Sequence, residues 1–596
     1  MRLNYIWISS YKNIAKQGFT LSDEFRYYYD DLTGELTIED NERYIPDLYG
    51  TNITALSAVL GMNGAGKSSL LEFLLLRLGT HSDHAYVTYE YGLECIVIFD
   101  KEIFCHDNLQ ISNEAVLERG GYTVQYFNDS LAQISSNRKS SQIAKKANNI
   151  YDYLMVYYSN VFDQQYVFDT KPSLNISTKE LLYIDAYEAP GFRTATLSKA
   201  SERINPITAH KLEELRRQMD FISSKIVTAP FKLPSQIVLA LDDKRSLNFG
   251  KDDKWFRNND LEGIMKVKEW LNNISDGVSG RRISLHDFKQ FFVWLFRFRL
   301  LVVLAVQYPE SLKRISFQEC KDFVLNDDDT ILRGLLQEPL AEAVSTIQST
   351  LLKVIYSAKV PEHWLVFHTG NIWEDMAQII VGLDKDDSQE LYQLLENYKL
   401  VVGGYHFLSF HWEGLSSGEN NMLVFYSRFY SIRNKPELIK AQQLIILIDE
   451  GETYFHPEWQ RRYLEMVIEY LSVLFQGKEI QLILTSNSPF IASDIPKSKI
   501  NFLKVDNGQC KVLSGDELEQ IGETFGANIH SLYTSAFFIP DTLMGEFARR
   551  QIDTIIETLN RRGTSISSSR IRQLIEIIGE PIIRNLLLQM LENDNQ

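Results

Sequence analysis

The segment G-M-N-G-A-G-K-S, Gly61–Ser68, holds the residue types that grip a phosphate chain. Glycines let successive backbone N–H groups turn inward as an anion nest that a Cβ would obstruct. Lys67 is placed to reach the β and γ phosphates and Ser68 to ligate Mg²⁺, while the helix that follows adds its positive N-terminal dipole. Gly61, Asn63, Gly64, Ala65, Gly66, Lys67, Ser68 and Ser69 are therefore candidate contacts for ATP. A chance match in an unrelated loop is the alternative, and the strand-like run before the loop with a helix-like run after it weighs against that.

The run L-I-I-L-I-D-E, Leu444–Glu450, reads as a buried strand with two carboxylates at its C-terminal edge, where open α/β sheets place their ligands. Asp449 is the candidate Mg²⁺ ligand, through the ion's water shell, and Glu450 the candidate base that orients and deprotonates an attacking water. A core strand followed by a surface acidic turn is the plainer alternative. In L-S-S-G-E, Leu415–Glu419, Ser417 and the N–H of Gly418 are expected to open a helix beginning near Glu419, aiming a hydroxyl and a dipole at an anion. Taken alone, that segment is also what a helix N-cap looks like. After the next strand-like run, Gln481–Leu484, comes T-S-N-S-P-F, Thr485–Phe490.

These residues need a large scaffold to meet, and 596 residues suggest about two to four domains. Apolar runs at Asn4–Ile8, Glu35–Ile38 and Ala55–Leu60 predict a strand-rich first lobe, continued by Ala85–Glu90, Glu94–Phe99, Tyr122–Phe127 and Tyr153–Ser159. Thr170–Tyr398 has helical texture, with helices expected at Ala209–Ile226, Leu261–Asn272, Asp287–Gln307 and Ile331–Ser357. Strand and helix alternate again from Val401 to Leu513, and the rest is mainly helical. The expected division is thus 1–169, 170–398, 399–515 and 516–596. The fold class is α/β, a mixed sheet flanked by helices with antiparallel N-terminal strands, a large helical insertion and a helical C-terminal region.

A net charge of −17 and 44% hydrophobic residues argue for a folded protein that does not coat nucleic acid along its whole surface. Local basic groups, Arg138, Lys139, Lys145 and Lys146, then Arg561, Arg562, Arg570 and Arg572, read as solvated surface. Cys95, Cys105, Cys320 and Cys510 show no C-x-x-C pair and no zinc-finger spacing, which fits a reducing cytoplasm. The N-terminus reads as a first strand rather than a signal peptide. Phe291–Tyr308 is apolar, but Arg297 and Arg299 inside it predict a buried helix rather than a membrane span. The acidic groups Asp327–Asp329 and Asp384, Asp386 and Asp387 lack calcium-loop spacing and read as solvated loops.

The order phosphate loop (Walker A), L-S-S-G-E, then L-I-I-L-I-D-E (Walker B) resembles the ATP-binding-cassette family. That resemblance implies a homodimer closed around ATP, in which Ser417 and Gly418 of one subunit cap a nucleotide held on the other, with a higher oligomer left open. It also implies a switch residue after the strand Gln481–Leu484, usually histidine; Asn487 stands there, can hydrogen-bond but carries no proton, and predicts slow or regulated hydrolysis. Ser159 and Asn160, in V-Y-Y-S-N-V-F-D, are candidates for the loop that couples Mg²⁺ to the insertion, a simple strand end being the alternative.

E-G-E-T-Y-F-H-P-E-W-Q, Glu450–Gln460, resembles soluble cassette ATPases related to chromosome-maintenance and phage-defence proteins, with Gly451 in place of their usual proline. His456 falls where transporter subunits have the aspartate of a subunit-crossing loop; a structural His-Pro turn is the other reading. T-F-G-A-N-I-H-S-L (Thr524–Leu532), G-E-F-A (Gly545–Ala548) and I-I-G-E-P-I-I-R (Ile577–Arg584) are similar to the C-terminal region of PtuA-like ATPases of Septu and retron-associated antiphage systems. This similarity implies an ATPase that scaffolds and controls a separate HNH nuclease, PtuB-like, and in retron versions a reverse transcriptase with its msDNA. Related overcoming-lysogenisation-defect proteins append a Toprim nuclease, for which Phe502–Gln596 has too little α/β pattern. A DNA-repair or chromosome-type ATPase acting directly on nucleic acid is the alternative, and a transporter motor a third that the Glu450–Gln460 turn disfavours.

Overall fold

The computed structural model describes residues 2–78, 80–81, 94–127, 153–162, 170–171, 173–188, 205–226, 229–241, 253–326, 334, 336, 338, 340–365, 377–383, 385–402, 405–537, 543–560 and 568–594. The first lobe supplies β1 (Leu3–Tyr11), β2 (Ile14–Thr20), β3 (Phe25–Asp30), β4 (Glu35–Asp40) and β5 (Ile53–Gly61). Next come β6 (Thr80–His81), β7 (Cys95–Phe99), β8 (Glu102–His106), β9 (Thr123–Phe127), β10 (Tyr153–Ser159), β11 (Thr170–Lys171) and β12 (Ser173–Asn175). Later strands are β13 (Gln236–Leu241), β14 (Gln378–Gly382), β15 (Leu408–Trp412), β16 (Gln443–Asp449), β17 (Glu479–Ser486), β18 (Ile500–Asp506) and β19 (Gln509–Val512).

Twelve strands form one mixed sheet in the order β12-β10-β16-β17-β5-β18-β19-β2-β1-β7-β8-β9. From β12 to β18 neighbouring strands are parallel, and the β18–β19, β2–β1, β1–β7 and β7–β8 pairs are antiparallel. Strands buried on both faces need apolar residues throughout, which is why β16 reads as the nearly unbroken run Q-L-I-I-L-I-D. Its side chains alternate between two cores. Leu444, Ile446 and Ile448 join a large cluster with the helices Pro206–Ser224, Ser417–Ile432 and Pro457–Leu474. Ile445 and Leu447 pack on the opposite face with Leu70, Phe73 and Leu74 of the helix Lys67–Leu78. A third cluster joins the antiparallel strands to the β3–β4 hairpin, where Tyr5 stacks on Tyr27 at 5.5 Å between ring centroids.

The parallel register aligns the functional ends. Ser159 lies opposite Asp449, Asp449 opposite Thr485, Thr485 opposite Val59, and Leu503 opposite Gly61. The loops that follow β10, β16, β17 and β5 therefore leave from one edge of the sheet, the position where parallel sheets bind ligands.

The segment expected to be helical carries strands as well. β12 extends the main sheet, while β13 lies between β14 and β15 in a separate antiparallel sheet, Leu239 facing Ile379 on one side and Phe410 on the other. Short runs such as Q-I-V-L-A-L are apolar on every residue, so their periodicity does not separate strand from buried helix. Val401 and Val402 end the helix Lys385–Val402 rather than begin a strand. The helix at Ala209–Ile226 starts earlier, at Pro206, because Asn205 caps Ile207 N with proline at the first turn. The helix Leu285–Gln307 is long and apolar enough to cross a membrane by composition, and 83% of its most apolar window is buried inside the protein. The helices Glu546–Asn560, Ser568–Glu576 and Pro581–Asp594 enclose their own small core of Ile552, Ile555, Ile575, Leu587 and Leu591.

Candidate functional site

The loop after β5 is shaped by backbone approach. Met62 N donates to Leu503 O at 3.3 Å, and an added Cβ on Gly61 would lie 2.0 Å from that same carbonyl. Gly66, at φ +101°, takes a conformation that costs a residue with a Cβ, and Asn13 braces the turn by donating to Gly64 O at 2.9 Å. Met62, Asn63 and Gly64 form the exposed lip, Ala65, Gly66 and Lys67 are buried, and Ser68 and Ser69 are half-buried in the first helical turn. Lys67 Nζ donates to the carbonyls of Gly61 and Met62 at 3.3 and 3.2 Å and stands 3.9 Å from Glu450 Oε1. Burial lowers its pKa, against the pull of Glu450, Asp449 and Glu452.

Asp449 is the meeting point of three strands and the loop. Its Oδ1 accepts from Ser68 Oγ at 3.1 Å and from Thr485 Oγ1 at 2.5 Å, and its Oδ2 from Tyr157 Oη at 3.4 Å. Burial pushes its pKa up, and these hydrogen bonds pull it back down. The Ser68 hydroxyl and the Asp449 carboxylate are hard oxygen donors side by side, a donor set suited to Mg²⁺.

Glu450 takes φ +46°, a region sparsely populated by non-glycine residues. It is held there because its N–H donates to Thr485 Oγ1 at 3.0 Å and Thr485 O at 3.3 Å. The twist turns its side chain toward the next strand's loop. Asn487 Nδ2 donates to Glu450 Oε1 at 2.6 Å, so the amide occupies the place beside the carboxylate.

Compared with known proteins, the chain matches no family model, and no curated protein matches it significantly. The functional reading therefore rests on the residues themselves.

The L-S-S-G-E helix begins two residues earlier than expected. Ser416, not Ser417, is its N-cap, and with Glu419 it forms a capping box in which Glu419 N donates to Ser416 Oγ and Ser416 N to Glu419 Oε2. A serine at the cap with glutamate three residues on is the stronger local signal, so the helix Ser417–Ile432 starts there. Ser417 is left exposed at the first helical position, and an added Cβ on Gly418 would meet open space. His456 caps the helix Pro457–Leu474, its Nδ1 accepting from Glu458 N at 3.4 Å, with proline next.

Asn160 reaches the helix Ser417–Ile432: its Nδ2 donates to Asn421 Oδ1 at 3.2 Å. Thr178 Oγ1 donates to Asn160 O at 3.2 Å and accepts from Arg428 Nη1 at 3.0 Å, and Arg428 forks onto Glu214 with bonds of 2.6 and 3.0 Å. Ser159 Oγ accepts from Val161 N within its own loop at 3.3 Å.

Four residues of this site have no motif of their own in the sequence. Thr485 and Tyr157 meet Asp449 only through strand register, and Glu452 and Gln460 lie inside a motif whose remaining letters drew attention to Glu450 and His456. Among the described residues no group of three or more His, Cys, Asp and Glu could hold a metal. Asp327–Asp329 and Asp384 lie outside the described residues, as do Ala85–Glu90, Arg138, Lys139, Lys145, Lys146, Arg561 and Arg562. Asp386 and Asp387 lie on the helix Lys385–Val402; Arg570 and Arg572 are exposed.

Proposed function

We propose that this chain is a cassette-type ATPase that closes as a homodimer around ATP and works as the regulatory and scaffold subunit of an antiviral defence complex, with a separate HNH nuclease doing the cutting. The observation that carries the ATPase reading is the convergence of Ser68, Asp449, Thr485, Glu450 and Asn487 at one sheet edge beside a glycine-shaped anion loop. The defence setting is supported by the Glu450–Gln460 turn and the C-terminal segments similar to PtuA-like ATPases, and the same similarity supports a reverse transcriptase with msDNA as further partners in a retron setting.

In this reading the backbone of Gly61–Lys67 and the Lys67 ammonium bind the phosphates. Ser68 and Asp449 would hold Mg²⁺, which when bound neutralises phosphate charge as it develops. Glu450 accepts the proton of the attacking water, and Asn487 fixes the carboxylate that receives it. Ser417, exposed on a capped helix, is presented outward to a nucleotide on the partner subunit.

The test is turnover of Mg²⁺-ATP by the purified chain, with dimerisation followed by light scattering. Turnover and ATP-dependent dimers, both lost in Ser417→Arg, are the expected result. Full turnover by a Ser417→Arg monomer would refute the composite site. Purification from the native operon should bring down a nuclease; strong stimulation of the isolated chain by DNA with no bound nuclease would favour the DNA-acting alternative.

A further inference from the structure

The turn E-G-E-T-Y-F-H-P-E-W-Q grips the segment after β17 from two sides. Glu452, only 3% exposed, accepts through Oε1 from Ser486 Oγ and from Asn487 N, the latter at 3.3 Å. Gln460 accepts through Oε1 from Ser488 Oγ at 2.9 Å and is itself fixed, its Nε2 donating to Phe455 O at 3.0 Å. Ser488 N donates to Ser486 Oγ at 2.9 Å and closes the segment on itself. The turn cannot drift under this load, because Gly451 lies flush on the helix Pro457–Leu474: an added Cβ there would fall 2.0 Å from Tyr463 Oη.

A carboxyl group in so dry a place is costly unless it is hydrogen-bonded, and Glu452 takes two such bonds. These bonds fix the residues on both sides of Asn487, whose amide meets Glu450 at 2.6 Å. We propose that Glu452 and Gln460 are positioning residues, a two-point cradle that holds Asn487 within reach of Glu450 and so sets the rate of the proton-accepting step. This rests on the ATPase reading above. Asn487 sits at the exposed end of a strand with its side chain in solvent, so without the cradle its amide would swing among rotamers and the Glu450 contact would be transient. The cradle also assigns a physical reason to the spacing of the motif: Glu452 is two residues past Glu450, and Gln460 sits in the first turn of the helix that His456 caps.

The experiment compares Glu452→Ala, Glu452→Gln, Gln460→Ala and Asn487→Ala, singly and in pairs with Asn487→Ala, measuring ATP affinity and turnover in the full chain. Glu452→Ala should cut kcat by about tenfold to a hundredfold, the scale of a misplaced catalytic group, with ATP affinity held within about twofold. Glu452→Gln should recover most of the rate, since its amide oxygen still accepts from Ser486 and Asn487. The deciding measurement is the double variant: Glu452→Ala with Asn487→Ala should be no slower than Asn487→Ala alone, because one acts through the other. A merely structural glutamate would give multiplying losses, and that result overturns the proposal, as does a Glu452→Gln variant as slow as Glu452→Ala. Should Glu452→Ala fail to fold, the Gln460→Ala and Asn487→Ala pair poses the same question. A wild-type chain without Mg²⁺-ATP turnover would sink the ATPase reading and this one together; wild-type turnover with additive variants sinks this one alone.

Discussion

Replacing Asn487 by alanine isolates one hydrogen bond at the reacting end of the site. The bond removed is the 2.6 Å contact from Nδ2 to Glu450 Oε1. Little else is disturbed. The Glu450 backbone stays anchored to Thr485 by two bonds, and Glu452 and Gln460 still hold the flanking serines. A hydrogen bond to a charged acceptor contributes about 1.5–3 kcal/mol, with the lower end fitting a solvent-exposed pair and the upper end a site closed to water. If that energy is expressed only while Glu450 takes the proton, turnover falls by about 10- to 150-fold with ATP affinity unchanged. Lys67 Nζ, at 3.9 Å from the same oxygen, partly compensates for the lost donor and pulls the expectation toward the lower figure. Steady-state phosphate release, paired with equilibrium binding of a fluorescent ATP analogue, separates the two quantities. Turnover within about twofold of wild type, in a protein that binds ATP normally, would refute the role given to this contact. A loss of affinity matching the loss of rate would show that Asn487 serves binding instead.

Glu450→Gln should leave ATP bound while slowing phosphate release by about 100-fold or more, the usual scale for a removed general base; unchanged release would remove Glu450 from that role. Lys67→Ala should abolish detectable nucleotide binding, measured by titration with the same analogue, because it deletes the buried cation of the loop. Glu452 should also leave a mark on stability. Burial raises its carboxyl pKa from 4.5 to about 7, so between those values the folded chain holds a proton that the unfolded chain has released. Stability from this group is present below about pH 4.5, falls as pH rises and is lost above about pH 7, a change on the order of 3 kcal/mol. Chemical denaturation of wild type and Glu452→Gln across that window should show the variant with a correspondingly shallower slope, and parallel curves would exclude a raised carboxyl.

Glycines, charge order and apolar runs make the phosphate loop, β16 and the acidic pair at its end readable from sequence, because each is a local pattern with a local cause. Thr485 and Tyr157 are different. Nothing near either residue announces a carboxylate partner, and both meet Asp449 only because β10, β16 and β17 run in parallel at one register. The helix Ser417–Ile432 starts two residues before the expected Glu419 because two adjacent serines can serve as cap, and only Ser416 stands at the distance from Glu419 that completes a reciprocal pair. The strands β13 and β14 were hidden for a further reason. β14 pairs with β13, and β13 with β15, each partner far along the chain, and a strand is stabilised by partners that local propensity does not see.

The long-range pairing of β13 with β15 bears on how the helix Ser417–Ile432 is held. β15 belongs to the sheet of the insertion and runs almost directly into Ser416, so the helix Ser417–Ile432 is tethered at its entrance to the insertion. Trp412 adds a bond from Nε1 to Gln218 Oε1 at 2.6 Å, and Arg428 adds the buried fork onto Glu214, both partners lying on the helix Pro206–Ser224. A buried Arg–Glu pair resists separation, since leaving one charge unpaired costs about 3–5 kcal/mol. The same helix is also held to the end of β10: Asn160 donates to Asn421, Thr178 bridges Arg428 to Asn160, and Tyr158 packs on Phe425 and Phe429 at 5.0 and 5.6 Å between ring centroids. The helix Ser417–Ile432 is thus tied both to the helix Pro206–Ser224 by a buried ion pair and to the strand end beside Asp449 by buried aromatic packing. A displacement at Ser417 is then shared by the helix Pro206–Ser224 and by the end of β10 together, because neither set of contacts gives way cheaply.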